Sequence, residues 1–227
     1  MMCLSAKSLL AHTKVDRIYI LIEDDDFPEP LPDCITCINI SSQEYFTHDG
    51  PNFNSLWTYM TLFKSVLPVM FPIYDKILSL DCDTIIREDI SYLWNLDLSK
   101  YYIAAVPETH DAPHRDISPY FNAGVMLMNV KKLNEDGIPQ KAIDLLNTQH
   151  LEWAEQDALN RLCKGKILSI PSAFNAFHCT DPTDTVFIRH YVGPENYKRM
   201  MLSEAKQYEN ISWNEILGKE IENNDGQ

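Results

Sequence analysis

Two aspartates one residue apart, Asp81 and Asp83 around Cys82, follow directly on the run Lys76-Ile77-Leu78-Ser79-Leu80. If strand geometry persists, its two-residue period puts both carboxylates on one side. Two hard oxygen ligands, with room for phosphate oxygens and water, suit Mg²⁺ or Mn²⁺. The carboxyl edge of an open α/β sheet is where ligands bind. The same residues also read as turn formers or helix caps, and Asp-x-Asp alone does not separate the two.

Three further groupings carry polar side chains into apolar surroundings. Asn122 and Gly124 open the run Val125-Met126-Leu127-Met128. An amide there can donate to sugar hydroxyls, and a glycine permits close backbone approach. Glu155, Gln156, Asp157 and Asn160 cluster at the start of a helical segment, where acidic residues also simply suit the helix dipole. His190 ends a short strand just before Tyr191-Val192-Gly193, and reads equally as a structural hydrogen-bonding imidazole.

The elements that must position these groups alternate. A helical face of Met2, Ala6, Leu9 and Leu10 leads into an apolar strand from Val15 to Ile22. Residues 24–33 form an acidic, proline-rich loop, and Ile35–Ile40 a second strand. Leu56–Leu67 is expected to be a helix with Pro68 and Pro72 marking its exit. Strands are expected over Lys76–Leu80, Tyr101–Val106, Gly124–Val130, Lys166–Ile170 and Thr185–His190, with helices over Ile138–Asn147 and Glu155–Leu162. A polar loop with His110 and His114 spans Glu108–Pro119, and an amphipathic helix from Ser203 fades into polar residues 223–227. The alternation predicts a three-layer α/β/α domain with a mixed, mostly parallel sheet over residues 1–200 and a helical tail over 201–227.

The net charge of −14 disfavours nucleic acid and anionic membrane as partners, although a bound metal reverses the local sign for an anionic substrate. No stretch reaches the ~18 apolar residues of a membrane span, and no secretory signal opens the chain, so a cytoplasmic location is expected. Of the six cysteines, Cys34 and Cys37 have Cys-x-x-Cys spacing but no second pair, so reduced buried thiols are expected rather than zinc ligands. Sugar-stacking surfaces could come from Trp57, Trp94, Trp153 or Trp213, which also suit core or rim positions.

Leu80-Asp81-Cys82-Asp83-Thr84, Phe121-Asn122-Ala123-Gly124-Val125, Glu155-Gln156-Asp157 and His190-Tyr191-Val192-Gly193 together, in this order and spacing, resemble the retaining glycosyltransferases of family 8. The resemblance runs from about Leu56 to Lys198. It implies the GT-A fold and transfer of a hexose from a UDP-sugar, UDP-galactose or UDP-glucose foremost, to a glycan, lipid-linked or protein acceptor. It implies Asp81, Asp83 and His190 as ligands of Mn²⁺ (or Mg²⁺), with Cys82 in the nucleotide-binding segment. Asn122, Glu155 and Asp157, and Glu108 by a looser match, are implied to orient the donor sugar. Gln156 falls near the reacting face of the anomeric carbon, where a neutral amide suits an electrostatic role better than a nucleophilic one.

Three departures accompany the resemblance. The family's leading strand would lie before Met1. The arginine often found in the helix ahead of the metal motif is missing, with Met60 or Thr61 near that point and Lys64 one turn on. Gly193 is kept, but Asn196 stands at the usual phosphate-binding lysine and Lys198 follows two residues later. A catalytically impaired sugar-nucleotide binder is therefore a second expectation. Asp81-Cys82-Asp83-Thr84 also resembles the nucleophile motif of haloacid dehalogenase-type phosphatases, but the later acidic pair that chemistry needs is not evident.

Overall fold

A computed structural model describes the chain apart from residues 26, 28, 55–57, 109–116, 178–184, 194 and 219–227, and the side chains of 195 and 196. Trp57, His110, His114, Cys179 and the polar end at 223–227 lie outside the described residues.

Helix α1 (Met2–His12) leads into β1 (Ile18–Ile22), which pairs in parallel with β2 (Ile35–Asn39). A second sheet runs in the order β3 (Lys76–Leu80), β6 (Phe121–Asn129), β5 (Ile103–Pro107), β7 (Ile167–Ser169). A third holds β4 (Thr84–Ile86) against β8 (Ile188–His190). Helices α2 (Leu67–Met70), α3 (Ser91–Trp94), α4 (Val130–Glu135), α5 (Ile138–Thr148), α6 (Ala154–Leu162), α7 (Glu195–Glu209) and α8 (Trp213–Ile216) complete the elements.

The central strands are covered on both faces, which is why β5 and β6 read as nearly unbroken apolar runs. Ala104, Val106, Val125 and Leu127 enter one core cluster, with Leu9 and Phe177. Ile103, Ala105, Met126 and Met128 enter another, with Leu133 and Leu159. Strand β1 shares both clusters with β3: Ile18 meets the first beside Leu78 and Leu80, and Tyr19 and Leu21 meet the second beside Ile77. No ladder joins β1 to β3 among the described residues. A hydrogen bond of 2.7 Å between the hydroxyls of Tyr19 and Tyr74 links the two regions instead.

Several expectations change in detail. The sheet is mixed, but β6 runs antiparallel to both neighbours, so antiparallel pairing carries more of the centre than apolar runs alone suggest. Leu56–Leu67 is not one α-helix: a 3₁₀ segment spans Tyr59–Ser65, and Pro68 sits in the first turn of α2 rather than at an exit. The first turn tolerates proline because its N–H has no intrahelical partner there. Helix α7 starts well before Ser203, because Tyr197, Met201, Ala205 and Tyr208 form one apolar stripe at helical spacing. Strand β4 was not expected at all.

Among the described cysteines none is in a disulfide; Cys163 is buried and its thiol is pushed up to about 12 by burial, while Cys82 is exposed. No helix among the described residues is long and apolar enough to cross a membrane.

Candidate active site

The chain turns immediately after β3. Asp81 donates its N–H to the Gly124 carbonyl (2.9 Å), and its own carbonyl accepts from the backbone N–H (3.2 Å) and hydroxyl (2.7 Å) of Thr84. The two carboxylates therefore converge through a hydrogen-bonded turn, not through continued strand geometry. Strand β4 then pairs with β8 so that Thr84 faces His190, and Tyr191 donates its N–H to the Asp83 carbonyl (2.9 Å). A short antiparallel ladder thus carries His190 across a hundred residues of sequence to the aspartates.

Asp81, Asp83 and His190 each offer a ligand atom, all within 4.8 Å of one another. His190 Nε2 lies 3.2 Å from Asp83 Oδ1 and 3.7 Å from Asp81 Oδ2. That nitrogen is buried and, although in ion-pair range of both carboxylates, makes no aligned hydrogen bond. A buried polar atom without a hydrogen bond is costly and calls for an explanation, and a divalent cation among two carboxylates and an imidazole supplies one. The three residues fit Mn²⁺ or Mg²⁺.

Gly124 is needed by the same ring: a Cβ there would lie 2.1 Å from His190 Cε1. Strand β6 is irregular here. Between the pairs Ala105–Met126 and Pro107–Phe121, residues 122–125 of β6 stand against Val106 alone. Such a bulge re-aims side chains beside a site, and it frees Asn122 and Gly124 from the β5 ladder.

Asn122 is oriented by three neighbours, which use its oxygen twice and one of the two N–H bonds of its amide. Its Oδ1 accepts from Gly124 N–H (2.8 Å) and from Asn175 Nδ2 (2.8 Å), and its Nδ2 donates to Glu108 Oε2 (3.2 Å). Gln156 Oε1 accepts from Ala123 N–H (2.7 Å). Asp157 is fully buried, with Oδ1 accepting from the Tyr120 hydroxyl (2.6 Å) and Oδ2 from Trp153 N–H (3.0 Å). Asn160 accepts from Phe121 N–H and donates to the Phe121 and Gln156 carbonyls, each at 2.8 Å. The start of α6 is therefore not a solvated acidic turn; it is clamped to β6. Ala154, just before Glu155, has φ of 33°, a left-handed value that non-glycine residues adopt at a cost.

Lys64 joins the two halves. Its Nζ lies 2.5 Å from Asp81 Oδ1 and 3.4 Å from Glu155 Oε1. Burial alone would lower its pKa, but the two carboxylates outweigh it and hold the ammonium charged well above the ordinary range. Burial also opposes ionisation of Asp83; the His190 ring, a backbone N–H and Lys64 overcome it and keep that carboxyl below its usual range. For Tyr120, burial and then the Asp157 hydrogen bond push the phenol well up.

The structure thus brings together Asp81, Asp83, His190, Asn122, Glu108, Glu155, Gln156 and Asp157. Gly193 has φ of 132°, and Lys198 is exposed on α7. Trp153 packs edge-on to Tyr120 at 5.8 Å, whereas Trp94 is exposed on α3 and Trp213 lies under Lys7. Sequence reasoning missed Asn175, Tyr120 and the partly buried position of Lys64. Lys64 follows Leu62-Phe63 in an apolar run, which was a usable signal that its charge needs partners.

Residues 4–198 match Glycosyl transferase family 8. That span includes Asp81–Thr84 and removes the phosphatase reading of those residues. Glycosyltransferase GlyE of Streptococcus pneumoniae is 34% identical over 181 residues, covering 74% of this chain and 43% of that protein. Lipopolysaccharide 1,3-galactosyltransferase of Salmonella typhimurium is 30% identical over 165 residues, or 61% of this chain and 49% of that one. The chain thus spans about half the length of the curated relatives it matches. Among solved structures, GlyE superposes with a TM-score of 0.72 at 25% identity over 96% of this chain and 58% of its own. The galactosyltransferase LgtC, solved with donor and acceptor sugar analogues, superposes at 0.68 with 24% identity over 93% of each chain. The fold is GT-A, and the chain belongs to glycosyltransferase family 8.

Proposed function

We propose that this chain transfers a hexose from a UDP-sugar to a carbohydrate-bearing acceptor with retention at the anomeric carbon, using a divalent metal held by Asp81, Asp83 and His190. The observation that carries the reading is the buried His190 Nε2, which lies 3.2 and 3.7 Å from two carboxylates yet makes no aligned hydrogen bond. When bound, Mn²⁺ or Mg²⁺ supplies positive charge for the diphosphate as the bond to the sugar breaks. The related lipopolysaccharide galactosyl- and glucosyltransferases support a galactose or glucose donor and a glycan acceptor.

The chain's own residues divide the remaining work. Lys64 adds a fixed cation beside Asp81, suited to the departing diphosphate. Asn122, Glu108 and Glu155 present polar atoms to the donor sugar's hydroxyls. Gln156, oriented by Ala123 N–H, keeps one lone pair of its amide oxygen for the reacting face, where it steadies positive charge at the anomeric carbon. The acceptor hydroxyl then bonds to that carbon on the face the diphosphate leaves, and its proton passes to the departing diphosphate oxygen. Asp157 serves by bracing Tyr120 and the turn at Trp153. Cys82, Gly193 and Lys198 are assigned to the nucleotide side.

The test is UDP release from UDP-galactose and UDP-glucose with Mn²⁺, with chelator, and in Asp83→Asn. Metal-dependent release lost in the variant, without hydrolysis of simple phosphomonoesters, is the expected result. The reading falls if neither donor yields UDP and neither binds in a metal-dependent way. A binder without turnover is the second reading, favoured in that no ladder joins β1 to β3 among the described residues; it predicts metal-dependent UDP-sugar binding without release.

A further inference from the structure

We propose that Asn175 is a positioning residue that sets the tautomer of His190, so that Nε2 presents its lone pair to the metal site. The residue stands just ahead of Ala176, whose backbone bridges to β8: Ala176 N–H donates to the Ile188 carbonyl (2.9 Å), and His190 N–H to the Ala176 carbonyl (3.0 Å). This puts the Asn175 side chain, fully buried, beside the imidazole.

The direction of each hydrogen bond follows from groups that have no choice. Gly124 N–H can only donate, so the Asn122 atom it meets at 2.8 Å is the oxygen. The Glu108 carboxylate accepts from the other end of that amide (3.2 Å). Asn122 is therefore oriented twice over. Its oxygen also meets Asn175 at 2.8 Å, which obliges Asn175 to offer its NH₂ there. Asn175 Oδ1 is then left facing His190 Nδ1 at 2.9 Å, and an amide oxygen needs a proton on that nitrogen. With Nδ1 protonated, a neutral ring carries its lone pair on Nε2. That is the atom between Asp81 and Asp83 that makes no aligned hydrogen bond.

A backbone amide on β6 thus dictates, through two side-chain amides, which imidazole nitrogen is available as a ligand. Gly124 guards both members, since a Cβ there would lie 2.5 Å from His190 Nδ1 and 3.0 Å from Asn122 Oδ1. The same relay ties the metal ligand to the Glu108–Asn122 pair assigned to the donor sugar. Hydrogen bonds to the second nitrogen of a metal-binding histidine fix its tautomer and ring orientation.

The inference rests on the metal reading of the site, but its primary test does not. Long-range proton–nitrogen correlation spectra of the metal-free protein, at mildly alkaline pH, report the tautomer of each histidine; His190→Gln assigns the signal. The expected result is an Nδ1–H tautomer for His190, lost or averaged in Asn175→Leu and kept in Asn175→Asp, which still accepts from Nδ1. Mn²⁺ binding followed by electron paramagnetic resonance should weaken about 10–100-fold in Asn175→Leu and by less than about tenfold in Asn175→Asp. An Nε2–H tautomer in the parent chain, or an unchanged tautomer in Asn175→Leu, overturns the proposal. If Asn175→Leu does not fold, an Nε2–H tautomer in Asn175→Asp overturns it equally. A correct tautomer with no Mn²⁺ binding would instead sink the metal reading and leave the relay standing.

Discussion

The two ends of the site treat their carboxylates in opposite ways. At the β3 turn, the side chains of Asp81 and Asp83 remain about a quarter exposed and crowd an imidazole nitrogen that makes no aligned hydrogen bond. At the start of α6, Asp157 is fully buried and both its oxygens are taken by Tyr120 and Trp153. The first arrangement concentrates negative charge and lone pairs where a cation can enter. The second spends its acidic group on holding a helix end to a strand. Similar residue types one short step apart in function are separated by whether their hydrogen-bonding capacity is used up inside the protein.

Replacing a carboxylate by an amide at each end tests that contrast most sharply. Asp83→Asn should lower thermal stability only slightly, because the carboxylate is favoured by its neighbours but remains about a quarter exposed, while UDP release falls roughly 10²–10³-fold. Asp157→Asn should do the reverse: an amide accepts through one oxygen only, so the unfolding free energy should drop by about 1–3 kcal/mol, with the smaller loss in turnover. A raised KM for Asp157→Asn at unchanged stability would mean that Asp157 meets the sugar directly, and the contrast would fail.

Gly124→Ala probes the wall between the ends. The added Cβ has no room beside the His190 ring, so chemical denaturation should show a loss of about 1–3 kcal/mol. Mn²⁺ affinity should fall with it, whereas a cost in stability alone would show that the ring can move aside without harm.

The smallest effect concerns the scaffold of the metal end. Glu204 on α7 accepts two hydrogen bonds of 2.6 Å from Arg87, just past β4, and one from the Tyr191 hydroxyl. Burial opposes its ionisation, but Arg87 and Tyr191 prevail and hold the carboxyl below its ordinary 4.5. A depressed carboxyl contributes stability that is fully present above 4.5 and is lost as pH falls through the lower, folded value. Melting temperatures of the parent chain and Glu204→Gln should thus differ by the equivalent of about 1 kcal/mol above that range and converge in acid. Equal melting temperatures at neutral pH would remove this pair from the support of the β4–β8 ladder.

Much of the site was legible because its residue types are informative in local context. An apolar strand ending in Asp81-Cys82-Asp83, an amide and glycine opening β6, and Glu155-Gln156-Asp157 at a helix start could each be read from a few neighbours. What was not legible depended on long-range pairing. Strand β4 is too short to announce itself and exists because β8 pairs with it. The β6 bulge that re-aims Asn122 is defined only against β5. Asn175 carries no local signal, since its partners Asn122 and His190 lie on other strands. The Leu56–Leu67 segment misled because hydrophobic spacing does not distinguish a 3₁₀ turn followed by a proline-led helix from one continuous helix.

Sequence alone determined which atoms could do chemistry: two carboxylates one residue apart, an imidazole at a strand end, and a short list of amides and acids. It also determined the alternation of elements, because burial on two faces demands apolar runs of strand length. Only the tertiary structure decided which of those atoms stay open to a ligand and which are consumed in holding the frame. That division is set by hydrogen bonds between residues far apart in the chain, which a local pattern cannot encode.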